Sequence, residues 1–387
     1  MFFLLFIIKF LPLHAYYLRI SIKNINNSII QMNHYSKRSS AFLLCLLSLS
    51  PVLAQQKTDN EKAMQFIEDV SKRIRLHGYA QAGYTYQHKG GEESNTLDFK
   101  RAIIFADAQI TDKWSFQFMH DIGGQVQEYY TDYRLTNDNA LSVRFGQFKN
   151  GLSIENRVSP TNSEVIDVCS ESVTFLTGCG SDPLYGVQYG RDLGLALYGE
   201  TAKGKLYYEV GVMNGQGINK KDNNNAKDII GRIELRPTKG LNIVASGQLG
   251  RGYAIATSVY NPDIQAGQNY KRNRYSVGFD YKSPSCNVHG EYLEGKDGEA
   301  VSRGAYVTGS IALIPKVFDI IGSYDYFNFN TSLGYDMHKA ILGVQWWYFK
   351  KCRFQVQYVY RSAFTTKDAF IHRANNALMC QMQVRFN

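Results

Sequence analysis

The stretch RFQVQYVYR, residues 353–361, places Phe354, Val356, Tyr358 and Tyr360 on one face of an extended chain. Arg353, Gln355, Gln357 and Arg361 fall on the other, with Val359 the exception. Alternation with period two marks a half-buried strand, because successive side chains leave the pleat in opposite directions. From Ile74 onward the pattern recurs in about sixteen segments, each of ~9–11 residues or slightly more. An even count of such strands suits a closed antiparallel barrel. Alternation leaves open which face is wet: a soluble sandwich hides the apolar face in a core, whereas a membrane barrel turns it to lipid.

The connections separate the two. One set is short and rich in Pro, Gly, Asn and Asp: ITDK (110–113), TNDNA (136–140), ETAKGK (200–205), PTKG (237–240), SPS (283–285), IPK (314–316) and FKKC (349–352). The alternate set is mostly longer and polar: KGGEESN (89–95), 149–190, GQGINKKDNNNAKD (215–228), 251–272 and SAFTTKDAFIHRAN (362–375). A soluble sandwich has no reason to sort its loops by length, while an outer-membrane barrel has tight periplasmic turns and long external loops. The expected fold is therefore all-β, a transmembrane barrel of about sixteen strands over residues 74–387, with its apolar faces toward lipid.

The N-terminus agrees. MNHYSKRSSAFLLCLLSLSPVLAQQ, from Met32, has a basic segment at Lys37 and Arg38, an apolar run from Ala41 to Leu49 and a small-residue site at Val52-Leu53-Ala54. It reads as a secretory signal over 32–54, cut before Gln55. Residues 1–31 read as an upstream mis-start, and 55–73 as a short amphipathic helix with a capping box at Thr58 and Glu61. Cleavage would remove five basic residues and no acidic one, leaving 38 Lys and Arg against the 34 Asp and Glu of the whole chain. That balance, without a basic stripe, gives no case for nucleic acid. No uninterrupted apolar run reaches about 18 residues, so helical spans are not expected, and the mean hydropathy of -0.30 is compatible with strands that face a wet lumen. Five cysteines would remain; Cys169 and Cys179, in one Gly- and Ser-bearing stretch, are expected to form a disulfide in an oxidising compartment.

By strand parity Arg75, Arg144, Arg232, Arg236, Arg274, Arg353, Arg361 and Arg385, with Lys282 and Lys339, point inward as a basic wall. Aromatics such as Tyr84, Tyr133, Tyr324 and Trp346 collect at strand ends, as interfacial girdles require. LDFKRAIIFADAQ (97–109) has Lys100 and Arg101 side by side, and its faces cannot be assigned from the pattern. The last strand ends on Phe386, one residue before the terminus, which resembles the terminal aromatic that the barrel-insertion machinery reads in outer-membrane proteins.

The longest connection, between GQFK (146–149) and RDLGLALYG (191–199), has about forty residues without strand character, a length that is usually functional. These two motifs, Ser153 and Glu155 of an SxE, and DFKRAIIFADAQITDKWSFQFMHD (98–121) resemble the phosphate-selective porin family of the O/P type in its Bacteroidetes-like form. The resemblance implies a homotrimeric, sixteen-stranded porin passing small hydrophilic solutes by diffusion, its third long loop folded into the lumen as a constriction. Within that loop Glu155, Glu164, Asp167, Glu171 and Asp182 stand against only Arg157. An acidic loop against a basic wall would either set a transverse field across the path or pair with the arginines and hold the loop in place. No cofactor, metal site or catalytic residue is expected: GxSxG, HExxH and CxxC are absent, and the histidines are scattered. The competing readings are a barrel enzyme of the lipase or protease kind and a channel-less adhesin.

Overall fold

The computed structural model describes residues 72–89, 91–362 and 375–386. The signal sequence, the residues before it, nearly all of the helix expected over 55–73, most of the last loop and Asn387 lie outside the described residues. Sixteen strands follow one another: β1 (Ile74–Lys89), β2 (Glu92–Gln109), β3 (Trp114–Asp121), β4 (Val126–Arg134), β5 (Ser142–Lys149), β6 (Arg191–Thr201), β7 (Leu206–Met213), β8 (Asp228–Thr238), β9 (Leu241–Tyr253), β10 (Asn269–Lys282), β11 (Cys286–Asp297), β12 (Ala300–Ile314), β13 (Phe318–Asn328), β14 (Asp336–Phe349), β15 (Cys352–Arg361) and β16 (Asn375–Phe386). Each pairs antiparallel with its sequence neighbours. β1 also pairs with β16, from Gly78 opposite Phe386 to Lys89 opposite Asn375, which closes the barrel. Closure leaves no edge strand, so every strand can satisfy its backbone groups within the wall, as crossing hydrocarbon demands.

The outer face is apolar. Val210, Val212, Ile233, Ile243, Val277, Phe279, Ile311, Leu342, Phe354, Tyr358, Leu378 and Val384 are all exposed there. Arg353, Gln355 and Gln357 alternate with them and are buried on the inner side. The expected faces of the β15 stretch are therefore those the barrel adopts.

Two local features depart from simple alternation. Gln81 of β1 lies opposite Arg101 but Ala82 lies opposite Phe99, so Lys100 is the extra residue of a bulge. A bulge lets two consecutive side chains face the same side, which is why the Lys-Arg pair defeats a period-two reading. The expected loop KGGEESN is mostly strand: pairing continues to Lys89 opposite Glu92. The β11–β12 connection is also tight, with Gly298 at φ +60°, so three external connections, these two and residues 122–125, are short.

The core lies inside the barrel. The connection 150–190 carries two short helices, α1 (Ile154–Arg157) and α2 (Glu171–Leu176), and packs against the inner wall in two apolar patches. Val173, Phe175 and Leu176 of α2 meet Leu293, Tyr306, Phe327 and Met337. Val165 and Ile166 meet Ile321, Ile341, Val359, Ala377 and Met379. Val359, the residue that breaks the β15 alternation, is thus part of an apolar seat for the loop.

Candidate functional site

The loop is held to the wall by side chains that reach its backbone. In its first segment Arg232 donates to the carbonyls of Gly151 and Ser153, at 3.2 and 2.8 Å. Glu291 of β11 accepts from the Ser153 hydroxyl at 2.7 Å and from the Ile154 amide at 3.0 Å, capping α1. Its second segment, 160–166, lies on a belt of amides. Arg353 donates to the carbonyls of Ser163 at 2.7 Å and Pro160 at 3.2 Å. Gln355 and Gln357 both donate to Glu164 O, at 2.8 and 2.7 Å, and Gln357 accepts from the Ile166 amide at 3.0 Å. Gln383 and Gln81 reach Thr161 O and Pro160 O. Amides suit this task because each carries both donors and an acceptor, so one side chain can match a backbone in either sense. In the third segment the Ser170 hydroxyl caps α2, Asp325 accepts from the Glu171 amide at 2.6 Å, and Arg274 donates to Leu176 O at 3.1 Å. A side-chain to backbone bond of this kind is worth about 0.5–1.5 kcal/mol, and its loss strands a buried partner at a further cost. Many in parallel make the loop part of the barrel.

Of the two roles left open for the basic wall, this arrangement matches the one in which it holds the loop. Arg353, Arg274 and Arg232 do point inward, but they are only 1%, 3% and 5% exposed, covered by the loop they hold. Arg361 pairs with Glu171 at 3.1 Å, Lys339 with Asp167 at 3.7 Å, and Arg144 with Asp132 at 2.8 Å. Arg385 donates to the Thr161 hydroxyl, Arg236 pairs with Glu200 and Glu234, and Lys282 with Asp280. Arg75 sits at the turn end of β1, paired with Asp107 and 73% exposed.

The loop acids separate in the same way. Glu155 is buried, accepting from the Ser170 amide at 2.6 Å and lying 3.2 Å from His289. Glu164 is buried, which pushes its carboxyl above the ordinary range. Asp182 is buried and raised to about 7, by loss of water first and by neighbouring Asp297 second. Arg157 pairs with Glu209 at 3.0 Å. Asp167 is the partly exposed one, between Lys100 at 3.9 Å and Lys339 at 3.7 Å, beside Val168 at φ 70°. A β-branched residue in that region is strained, and such strain is held only where the surroundings dictate it. The disulfide expected between Cys169 and Cys179 is not formed. Both are free thiols: Cys179 donates to Asn156 Oδ1 at 3.3 Å and accepts from the Thr177 hydroxyl at 3.2 Å, and the influence of each thiol on the other draws Cys179 down to about 7 and pushes Cys169 up.

The loop leaves space open on both sides: against β8 to β11 a crevice of ≈ 370 Å³ is lined by Arg232, Lys282, Glu164, Glu234 and Asp280 among others, its charges nearly balanced, and two more crevices face β2 to β6. A crevice of ≈ 280 Å³ is lined by Lys100, Arg101, Asp121, Lys149, Glu155, Asp167, Cys169, Cys179 and Arg191, among others. An adjoining one of ≈ 240 Å³ shares Lys149 and Arg191 and adds Glu128, Arg144 and Arg157. Six cations (Lys100, Arg101, Arg144, Lys149, Arg157, Arg191) stand against four lining acids (Asp121, Glu128, Glu155, Asp167), and Asp132 and Glu209 pair with Arg144 and Arg157 from beside the lining, so that Arg101 and Lys149 are the crevice cations with no carboxylate partner among the described residues. Lys100, Arg101, Lys149 and Arg191 are absent from the wall expected by parity. Lys149 and Arg191 are register partners where the chain leaves and re-enters the barrel, so both must face the lumen from which the loop springs. That pairing is readable in GQFK and RDLG once the two motifs are set opposite each other.

No family model and no curated protein matches the sequence. Solved structures do resemble the fold. OprB of Pseudomonas putida superposes with a TM-score of 0.61 at 11% identity, covering 83% of this chain and 96% of that one. An anion-selective porin from Comamonas acidovorans superposes at 0.58 and 12% identity, over 81% and 99%. OmpT, an outer-membrane protein of Vibrio cholerae in trimer form, superposes at 0.54 and 13%, over 81% and 100%. The likeness is one of fold: a closed sixteen-stranded antiparallel barrel of the outer-membrane porin type, whose apolar outer face places the chain in the bacterial outer membrane.

Proposed function

We propose that this barrel is an open diffusion pore for small hydrophilic solutes, narrowed by the loop 150–190 and mildly selective for anions, phosphate among them. The observation that carries the reading is the pair of crevice cations, Arg101 and Lys149, that have no carboxylate partner among the described residues. In a narrow passage with low-dielectric walls, a small imbalance of fixed charge biases which ions enter. The acidic loop does not set the sign, because Glu155, Glu164 and Asp182 are buried and Glu171 is paired. Arg101 and Lys149 supply the cations a phosphate oxygen would meet, Arg101 through its planar fork of donors.

The resemblance to the phosphate-selective O/P family supports this solute class and a homotrimer. Phe386, exposed on the outer face at the end of β16, is the residue offered to the insertion machinery. The experiment is solute flux into liposomes of defined composition containing the purified barrel. The reading predicts entry of phosphate ahead of a cationic solute of equal size, with neutral sugars between. Folded barrel that passes none of the three would overturn it in favour of an enzyme or an adhesin.

A further inference from the structure

A crevice of ≈ 480 Å³ in the outer wall, at the turn end of β12–β15, is lined by Ile314, Val317, Phe318, Trp346, Phe354 and Val356 and is almost wholly apolar. It lies where two ladders slip. The β12–β13 register shifts between Ala312 and Ile314, and the β14–β15 register between Trp346 and Phe349. Phe318, Trp346 and Phe354 are successive register partners on adjacent strands, so they form one row across the floor. Slipped ladders re-aim side chains, and here a recess opens in the wall. A bond of 2.8 Å from the Trp347 amide to Val317 O fixes the β12–β13 turn against β14.

The mouth of the crevice is basic. Lys316, at φ 66°, Lys350 and Lys351 are exposed in the two turns that flank it, residues 315–317 and 350–351, and those turns contain no acidic residue. An apolar slot walled by an interfacial Trp, with three lysines in the turns beside it, matches one amphiphile: acyl chain below, anionic headgroup above. From this charge complementarity we infer that the crevice binds an anionic glycerophospholipid of the leaflet at the turn end, with a chain against Phe318 and Phe354 and its phosphate at Lys316, Lys350 and Lys351. The inference rests on the barrel's place in the membrane and is independent of what passes through the pore.

The test is native mass spectrometry of the detergent-purified full chain, titrated in parallel with phosphatidylglycerol and phosphatidylcholine of identical chains. Wild type is expected to retain phosphatidylglycerol at least about tenfold better, each interfacial lysine supplying about 1 kcal/mol. The triple variant Lys316→Gln, Lys350→Gln and Lys351→Gln should bind both lipids equally. Val356→Trp, which fills the slot, should weaken both. Heat-modifiable migration confirms that each variant is a folded barrel. Equal retention of the two lipids by wild type, an undiminished preference in the lysine variant, or a second protein copy displacing lipid from the crevice would each overturn the inference.

Discussion

The two halves of the inner wall use the same strand chemistry to opposite ends. On the side of β10 to β16, Arg274, Arg353, Gln355, Gln357 and Gln383 turn inward and are sealed beneath the loop. On the side of β2 to β6, Lys100, Arg101 and Lys149 turn inward and line open space, with Arg191 buried beside them against Glu128. Strand parity does not separate the two sets, and the bulge at Lys100 breaks it in the second. The difference lies in what meets the wall: one half offers amides and arginines that can bond a backbone, together with an apolar seat. The other offers charges spaced around a passage. An inward-facing arginine is therefore lumenal only if nothing has been laid over it.

Charge reversal in the open half should have the largest effect. Arg101→Glu with Lys149→Glu replaces the two crevice cations that have no carboxylate partner among the described residues by two carboxylates, lowering the crevice charge by four, since each reversal subtracts two. The preference for anions should become a preference for cations, read as a change of sign in the reversal potential. The matching change in the sealed half should act differently. Arg353→Ala removes bonds to Pro160 O, Ser163 O and Gln345, so amides over 160–166 should exchange roughly ten- to hundredfold faster, for a loss of about 1–3 kcal/mol, with ion selectivity nearly unchanged. Exchange as slow as in wild type would show that the loop does not depend on this anchor.

A smaller effect should come from Cys179, a thiol that lines the open crevice with a pKa of about 7. A cationic methanethiosulfonate should attach to it from the lumen, faster as pH rises through 7, lower the conductance in part and strengthen anion preference. Cys179→Ser should abolish the response. Weakest of the four is the pH dependence at Asp182. Its carboxyl is raised from 3.8 to about 7 in the fold, so charging it costs stability, and that cost accumulates as pH rises from about 4 to 7. Asp182→Asn should gain on wild type in thermal midpoint across that window and hold a constant difference above it.

How much of this was legible in the chain follows from what period two can express. The barrel, its strand number and its lipid-facing side were readable because alternation and strand length answer directly to the membrane. Val359 breaks the pattern because it contacts a loop some 190 residues away in sequence, at Val165 and Ile166, and no local signal says so. Lys100 and Arg101 were opaque because a bulge belongs to the pairing of two strands and cannot be seen in one. Which of its two possible tasks the basic wall performs was not legible, since parity gives direction and says nothing of cover. The thiols of Cys169 and Cys179 were rightly brought together, and the bond between them was not formed.

The most direct measurement of the central claim is the reversal potential of single barrels in a planar bilayer under a KCl gradient. The pore and its positive crevice predict stable conductance steps with a modest anion-selective potential that weakens as salt rises and screening increases. Silence from a barrel shown to be folded, or a cation-selective potential in the wild type, would contradict the account.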